Sequence, residues 1–534
     1  MSIKPLKISL SQRKETKSSR ILQVLGHNPS PARLAWVLLV SLTGAGVCPA
    51  ATGDTPQAAS AYPASISIAT PDLAQLPRLK TISQYGITWT FENPAPVGHF
   101  INGDFYVVGP VTVASIDPRP LVGAEVPASE LAEREKERIE KDQYERNGSM
   151  LNPPARQEVA FDSDIRNYFE FKLLAVAPLQ MKPGDCLVST ISLKVGEKSS
   201  FPYHVDGEER DKGDDSPVKT AAVLTCVAQP LPTDAFRPAY GDRSQKIYLA
   251  RNLRWNLLRR LPPPADIPDV KTWIRVFQRP WINPCFFGFE QPMENMPHYG
   301  QWVGQAQSMG GLLLLLDLPP KEKEVLTINM VQVGIDYWGL VRNGHPGWQG
   351  WGGHGSGRKF PIVLAGILLG DDEMAAPTRS FPKVEFGEDN QTMYGHGWTG
   401  ATASFAGHSG IQSATGKPER PKWGPYEELD PSKWTSSNLQ SEEYRRANTS
   451  SSWVGQALVI RMLHAEKDWN HEAFLDYVDR WMTEDDTEAR RTIMKYWPEA
   501  GLTDKSEWNH EGYTWEPFVK TMWDRYRNHL DAGK

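Results

Sequence analysis

The sequence predicts an α+β chain: an N-terminal antiparallel β-sandwich-like domain, then an α/α toroid-like array of helical hairpins, closed or incomplete. Three observations carry this expectation. The hydrophobic period changes from two to about 3.6 after the proline-rich stretch near Pro230. The pentamer WVGQA occurs twice, at Trp302–Ala306 and Trp453–Ala457, each time opening an apolar helix that an amphipathic one follows. Of 19 tryptophans, 17 lie between Trp255 and Trp523, so the second half of the chain is built differently from the first.

The first 50 of the 534 residues read as a secretory signal peptide. Seven basic residues precede or flank an apolar run from Leu34 to Val47, and small residues follow at Pro49-Ala50-Ala51. The run is too short to span a bilayer, which needs roughly 18 apolar residues or more. The expectation is therefore export to the periplasm or extracellular space, with no transmembrane segment after cleavage. Cleavage after Ala50 would remove seven bases and one acid, leaving 51 Lys/Arg against 63 Asp/Glu, a net of −12. Any basic patch in such a chain is local, and a general nucleic-acid binder is disfavoured.

Residues 51–84, rich in Ala, Ser, Thr and Pro, read as a flexible lead. The β-rich domain covers 85–236. Its strand-like runs are Ile87–Phe91, Phe105–Gly109, Val111–Ile116, Tyr168–Val176, Cys186–Leu193 and Ala221–Ala228, punctuated by Gly, Pro, Asn and Asp. Two charged insertions, Glu130–Arg146 and Gly207–Asp215, interrupt it. Cys186 and Cys226 lie in two of these runs, which leaves a disulfide or two thiols open, and Cys285 reads as a buried thiol.

The toroid-like domain covers 237–534. Helices are expected at Arg243–Arg260, His298–Asp317, Lys321–Asn343, Lys359–Leu369, Arg445–His464, His471–Met482 and Trp515–Leu530. Val325, Ile328, Val331, Ile335, Trp338 and Val341 make one apolar stripe, and Asn343-Gly344 is a helix stop. The other face carries Asn329, Gln332 and Asp336, with Asp336 the one charge between Glu324 and Arg342. Solvated faces are dense in Lys and Glu, so these read as inner helices whose polar groups face a cleft.

The segment richest in chemistry is Arg342–Lys359, in which half of Gly344–Gly357 is glycine. Ordering such a loop costs backbone entropy, so something must approach its backbone closely. It presents Asn343, His345, Trp348, Trp351, His354, Arg358 and Lys359. Familiar motifs fail here: Gly352–Lys359 lacks the Gly-Lys-Ser/Thr of a phosphate loop, GHSG at 407–410 lacks a flanking glycine of a nucleophile elbow, and no HExxH exists. A second segment, Met393–Gly410, offers Tyr394, His396, Trp398 and His408. A third, Tyr444–Asn448, leads into the second WVGQA helix with Arg445 and Asn448. Tyr299 is a weaker candidate. Tryptophan faces stack on the C–H faces of sugars while Asn, His and Arg satisfy hydroxyls and carboxylates, so a polysaccharide is the expected ligand.

A β-rich domain joined to helical hairpins, with the Arg342-Asn343-Gly344-His345 and His354…Arg358 regions, resembles the (α/α)-toroid polysaccharide lyases, alginate-lyase-like and heparinase-like, over Tyr240–Lys534. The resemblance implies β-elimination on an anionic, uronate-containing chain. It assigns Asn343 and Arg358 to the uronate carboxylate, His354 as base, and Tyr394 as acid or alternate base. Trp348, Trp351 and Trp398 become sugar platforms, and His345, Lys359, His396, Arg445 and Asn448 further substrate contacts. No metal or cofactor is implied, with a structural calcium left open. Two alternatives stand beside it: an inverting glycoside hydrolase drawing two carboxyls from Asp336, Glu294, Glu388 and Asp389, and a non-catalytic glycan-binding protein.

Overall fold

A computed structural model describes residues 67–533 except 128, 130–144, 157–158, 166–167, 195–196, 198–216, 286–290, 409–410, 413–416, 419–424 and 504–509. The expected signal segment and both charged insertions, except Glu145-Arg146, lie outside the described residues. Within them the fold is mixed α+β, with a curled, mostly antiparallel sheet followed by helices.

The strands are β1 (Arg78–Gln84), β2 (Ile87–His99), β3 (Phe105–Val108), β4 (Val111–Asp117), β5 (Leu121–Val122), β6 (Glu145–Arg146), β7 (Ser149–Leu151), β8 (Leu179–Met181), β9 (Cys186–Ser192) and β10 (Val218–Val227). Eight of them form one sheet in the order β7-β9-β10-β3-β2-β4-β8, with β1 also on β2, while β5 and β6 pair separately. The β10–β3 pair is parallel. Long β2 turns the corner: its start pairs with β4 and its end with β3. The two halves of the curl then face each other over Trp89, Phe91, Val107, Leu187, Leu224 and Cys226. Trp89 Nε1 donates to Ser189 Oγ across that core at 3.1 Å.

The open disulfide question resolves through register. Cys186 stands opposite Thr225 on the β9–β10 ladder. Neighbouring residues on a strand point to opposite faces, so Cys186 and Cys226 belong to different cores. Both are free and buried, as is Cys285. Two expected elements differ from the structure. Tyr168–Val176 is no strand: it holds a short 3-10 turn at Phe171–Leu173, because Tyr168 and Phe169 pack with Cys285 while Leu173 and Leu174 join another core. Arg243–Arg260 is a chain of turns rather than a helix, since its amides bond to distant carbonyls: Ala250 N to Asp234 O, and Arg254 N to Leu368 O.

The longer helices are α1 (Val270–Gln278), α2 (Gly300–Leu314), α3 (Pro320–Arg342), α4 (Lys359–Leu369), α5 (Ser436–Tyr444), α6 (Ser450–Met462), α7 (Glu472–Thr483), α8 (Thr487–Tyr496) and α9 (Pro517–Tyr526). The repeated pentamers explain one contact directly. Gly304 of the first copy faces Ser452 and Gln456, Gly455 of the second faces Ser308, and Gly311 faces Val459. The numbers rise together, so α2 and α6 run parallel with their N-terminal ends side by side. Small residues let the backbones approach, and Ser308 Oγ donates to Ser452 O at 2.8 Å.

The polar face of α3 does not line a cleft. Asn329 Nδ2 donates to Ile274 O, Gln332 brackets the backbone of Arg237, and Asp336 takes two bonds from the Arg237 guanidinium. Arg237 also reaches Asp104 at 2.5 Å, and all three side chains are fully buried. This triad ties the sheet to α3. Among the described residues no helix is long and apolar enough to cross a membrane.

Candidate functional site

Three sequence-distant segments meet where α2 begins. Tyr299, the extended residue before α2, is part-exposed. Its Oη accepts the Gly353 amide at 3.0 Å and Asn448 Nδ2 at 3.3 Å. The His354 ring stands edge-on to it at 4.9 Å between centroids. Next to this, Gly352 N donates to His408 O at 2.7 Å, and the His408 ring meets Tyr444 edge-on at 4.4 Å. Gln391 Nε2 holds the junction by donating to Gly352 O and His408 O.

The segment before α6 reaches this place through a π-helical turn, Arg445–Thr449. One such turn inside a helix widens the ladder, and these turns concentrate at functional sites. Its carbonyls are taken by side chains: Gln301 Nε2 donates to Ala447 O, and Ser450 Oγ to Arg445 O. Beneath the turn lies a buried ion-pair network. Arg445 binds Glu442 and Glu511, and Arg446 binds Glu442 and Asp486. Burial works to raise the Glu442 carboxyl, but the Arg445 and Arg446 charges outweigh it and hold it well below the usual range.

The glycines of 344–357 do admit a close approach, and what approaches is the protein itself. At Gly352, φ is +70°, and a Cβ there would sit 2.5 Å from the Tyr444 ring. At Gly357, φ is +85°, and a Cβ would meet Gly304 N of α2 at 2.5 Å. The loop is thus packed onto the start of α2.

That packing corrects several expected roles. Trp348 is no sugar platform: it is 0% exposed, stacked on His345 at 4.3 Å and set beside Tyr337 and Phe386. Its neighbouring glycines let the backbone close over it rather than expose it. His345 is buried too. Its Nδ1 accepts the Gly347 amide at 3.0 Å, so Nε2 carries the proton to Pro284 O at 3.1 Å. Burial lowers this imidazole to about 4. Arg358 lies under the loop, donating to His354 O and Ser356 O at 2.7 Å each. With the Asn283 amide oxygen turned toward it, Arg358 Nε donates there at 2.9 Å. It anchors the loop and does not face a substrate carboxylate. Lys359 is fully buried, paired with Asp389 at 2.5 Å over the Trp469 ring. Arg445 belongs to the network above.

Asn343 is exposed and caps α3, its Nδ2 donating to Gly339 O at 2.9 Å. Tyr394 is 53% exposed but gives its proton to Asp476 of α7 at 2.6 Å, and that bond raises the phenol to about 12. His396 is exposed. Trp351 is part-exposed with Nε1 held by Gln349 at 2.9 Å, and part-exposed Trp398 packs against the helical core. The structure therefore gathers His354 and Asn448 around Tyr299, with His408 and Tyr444 alongside, while Tyr394 bonds to Asp476 and Asn343 caps α3.

Two further features complete the site. Protein packed around His354 lowers its imidazole to about 3, with the Arg358, His408 and His298 charges adding to the effect. One turn along α2 from Tyr299 stands Trp302, part-exposed and edge-on to Trp515 at 5.1 Å, which meets Tyr513 at 5.5 Å. Trp302 packs against the helical core and keeps part of its ring exposed. The position of Tyr299 and Asn448 just ahead of the two WVGQA copies is the signal that could have found this site. Parallel partner helices place those two flanks together.

The acids a hydrolase would need are engaged elsewhere. Asp336 binds Arg237, Glu294 binds Arg279, Glu388 accepts the Gly357 amide, and Asp389 binds Lys359. Among the described residues no group of three or more His, Cys, Asp or Glu is arranged to hold a metal. Comparison of the chain with protein families, curated proteins and solved structures gives no match.

Proposed function

We propose that the protein is an exported polysaccharide lyase that cleaves an anionic, uronate-containing glycan by β-elimination, on helices arranged as an α/α toroid. The observation that carries this reading is the pair of N–H donors on Tyr299 Oη beside the His354 ring. Two N–H donors favour negative charge on a phenol oxygen. Tyr299 is then the group that removes the proton on the carbon next to the uronate carboxylate. The electron pair of that C–H bond forms the C4=C5 double bond as the C4–O bond breaks. The departing oxygen takes its proton from the Tyr299 hydroxyl just formed.

His354 stays neutral near pH 7 and is too weakly basic to be the base expected of it. Its role in this reading is to orient the sugar, with His408 and Asn448 supplying donors to the carboxylate. Trp302, Trp515 and Tyr513 give the chain aromatic faces. The parallel packing of α2 and α6 supports the toroid, in which inner helices share a direction.

The test is absorbance of unsaturated uronate product from purified protein on alginate, polygalacturonate, hyaluronate and heparan sulfate. Product on one of them, abolished in Tyr299→Phe, supports the reading. Its absence on all four contradicts it.

A further inference from the structure

The curl of the sheet opens a cleft whose lining shares no residue with the Tyr299 site. On one edge β2 pairs with β4 through Phe91 and with β3 from Val97. Between them Glu92–Pro96 have no ladder partner on that edge, and the sheet parts. The gap is a cleft of about 950 Å³, walled by Glu92–Pro96, Val108–Thr112, Leu151–Asn152, Gln180–Lys182, Asp185 and Arg243, with Arg78 at its edge. That volume lies at the upper end of small-ligand sites.

Three cations stand around it: Arg78, Lys182 and Arg243, all exposed. Of the two acids, Asp185 is buried and occupied by Asn152 Nδ2, the Lys182 amide and Arg243. Arg78 is steadied by donating to Pro94 O at 2.9 Å. Arg243 and Asp185 offset each other, so Arg78 and Lys182 face the single exposed acid Glu92, and three cations against two acids leave the cleft one positive charge on a chain of net charge −6. Its walls are Pro94, Pro96 and Pro110, with Asn93, Thr112 and Gln180 as hydroxyl partners, and no aromatic ring lines it. Nucleic-acid bases would lack a stacking platform there.

We infer that this cleft is a second binding site for a short stretch of anionic oligosaccharide, its carboxylates met by Arg78 and Lys182. The inference stands on the charge and shape of the cleft, apart from the elimination chemistry. The test uses the full chain carrying Tyr299→Phe, with oligogalacturonate trimer as probe in calorimetric titration and maltotriose as the neutral control. Arg78→Glu with Lys182→Glu should weaken trimer binding at one site at least about tenfold, a shift of about 1.4 kcal/mol, and leave the circular dichroism and melting curve unchanged. In the Tyr299-intact background the same pair should leave turnover of a short soluble substrate unaltered. Unchanged trimer affinity in the folded double variant would overturn the inference. Equal binding of maltotriose, or tighter binding of a single-stranded oligonucleotide, would overturn it as well. If no uronate polymer is cleaved yet the charge-dependent trimer site persists, the lyase reading fails alone.

Discussion

Asn448 Nδ2 donates to Tyr299 Oη at 3.3 Å, joining residues that stand just ahead of two parallel helices and 149 positions apart in sequence. The same phenol oxygen takes the Gly353 amide, so one atom gathers the three segments of the site.

Tyr299→Phe should lower kcat by about 10²–10⁴-fold, the usual scale for losing an acid–base group. Asn448→Ala should lower it less and raise KM, because it loses a donor and not the proton carrier. Steady-state kinetics with circular dichroism as the folding control checks both, and equal kcat in Tyr299→Phe would remove the assignment.

The two kinds of tryptophan should separate. Trp302→Ala should raise KM severalfold while the fold survives, because the ring is only partly buried against the core. Trp348→Ala removes a fully buried indole and should cost about 3–5 kcal/mol of stability. Chemical denaturation of both variants, beside KM for the first, distinguishes a platform from a core residue.

The buried pair Lys359–Asp389 should behave asymmetrically. Lys359→Met alone leaves an uncompensated buried carboxylate and should destabilise by about 3–5 kcal/mol. Lys359→Met with Asp389→Leu should recover much of that loss. A double variant no more stable than the single one would show that the pair is not the source.

His345 should make the protein acid-sensitive. Its folded value of about 4 lies below the ordinary 6.5, so the unfolded chain binds more protons in that window. Stability is then complete above about 6.5 and is lost as pH falls toward 4, by about 3 kcal/mol in all. His345→Gln should remove that share of the decline. Parallel stability–pH curves for the two proteins would contradict it.

Much of the scaffold is legible in the sequence. The cores of the Lys321, Arg445 and Lys359 helices are legible because they are long, apolar and nearly free of charge, and are buried on most sides, and the His471 helix because it buries one apolar face. Arg243–Arg260 misleads because its amides find tertiary partners, which no local pattern records. The site is half legible for a related reason. His354 and Asn448 are singled out by composition, whereas Trp348 and Arg358 look exposed among glycines and are covered by contacts from Tyr337, Phe386 and Asn283. Tyr394 has the right chemistry, but its hydroxyl is committed to Asp476.

The most direct test of elimination at Tyr299 is mass spectrometry of the products formed in heavy-oxygen water. Elimination yields fragments with a C4=C5 double bond and no heavy oxygen at the cut, formed by the wild type and not by Tyr299→Phe. One heavy oxygen gained at each cut would mean that water attacks the bond, and would contradict it.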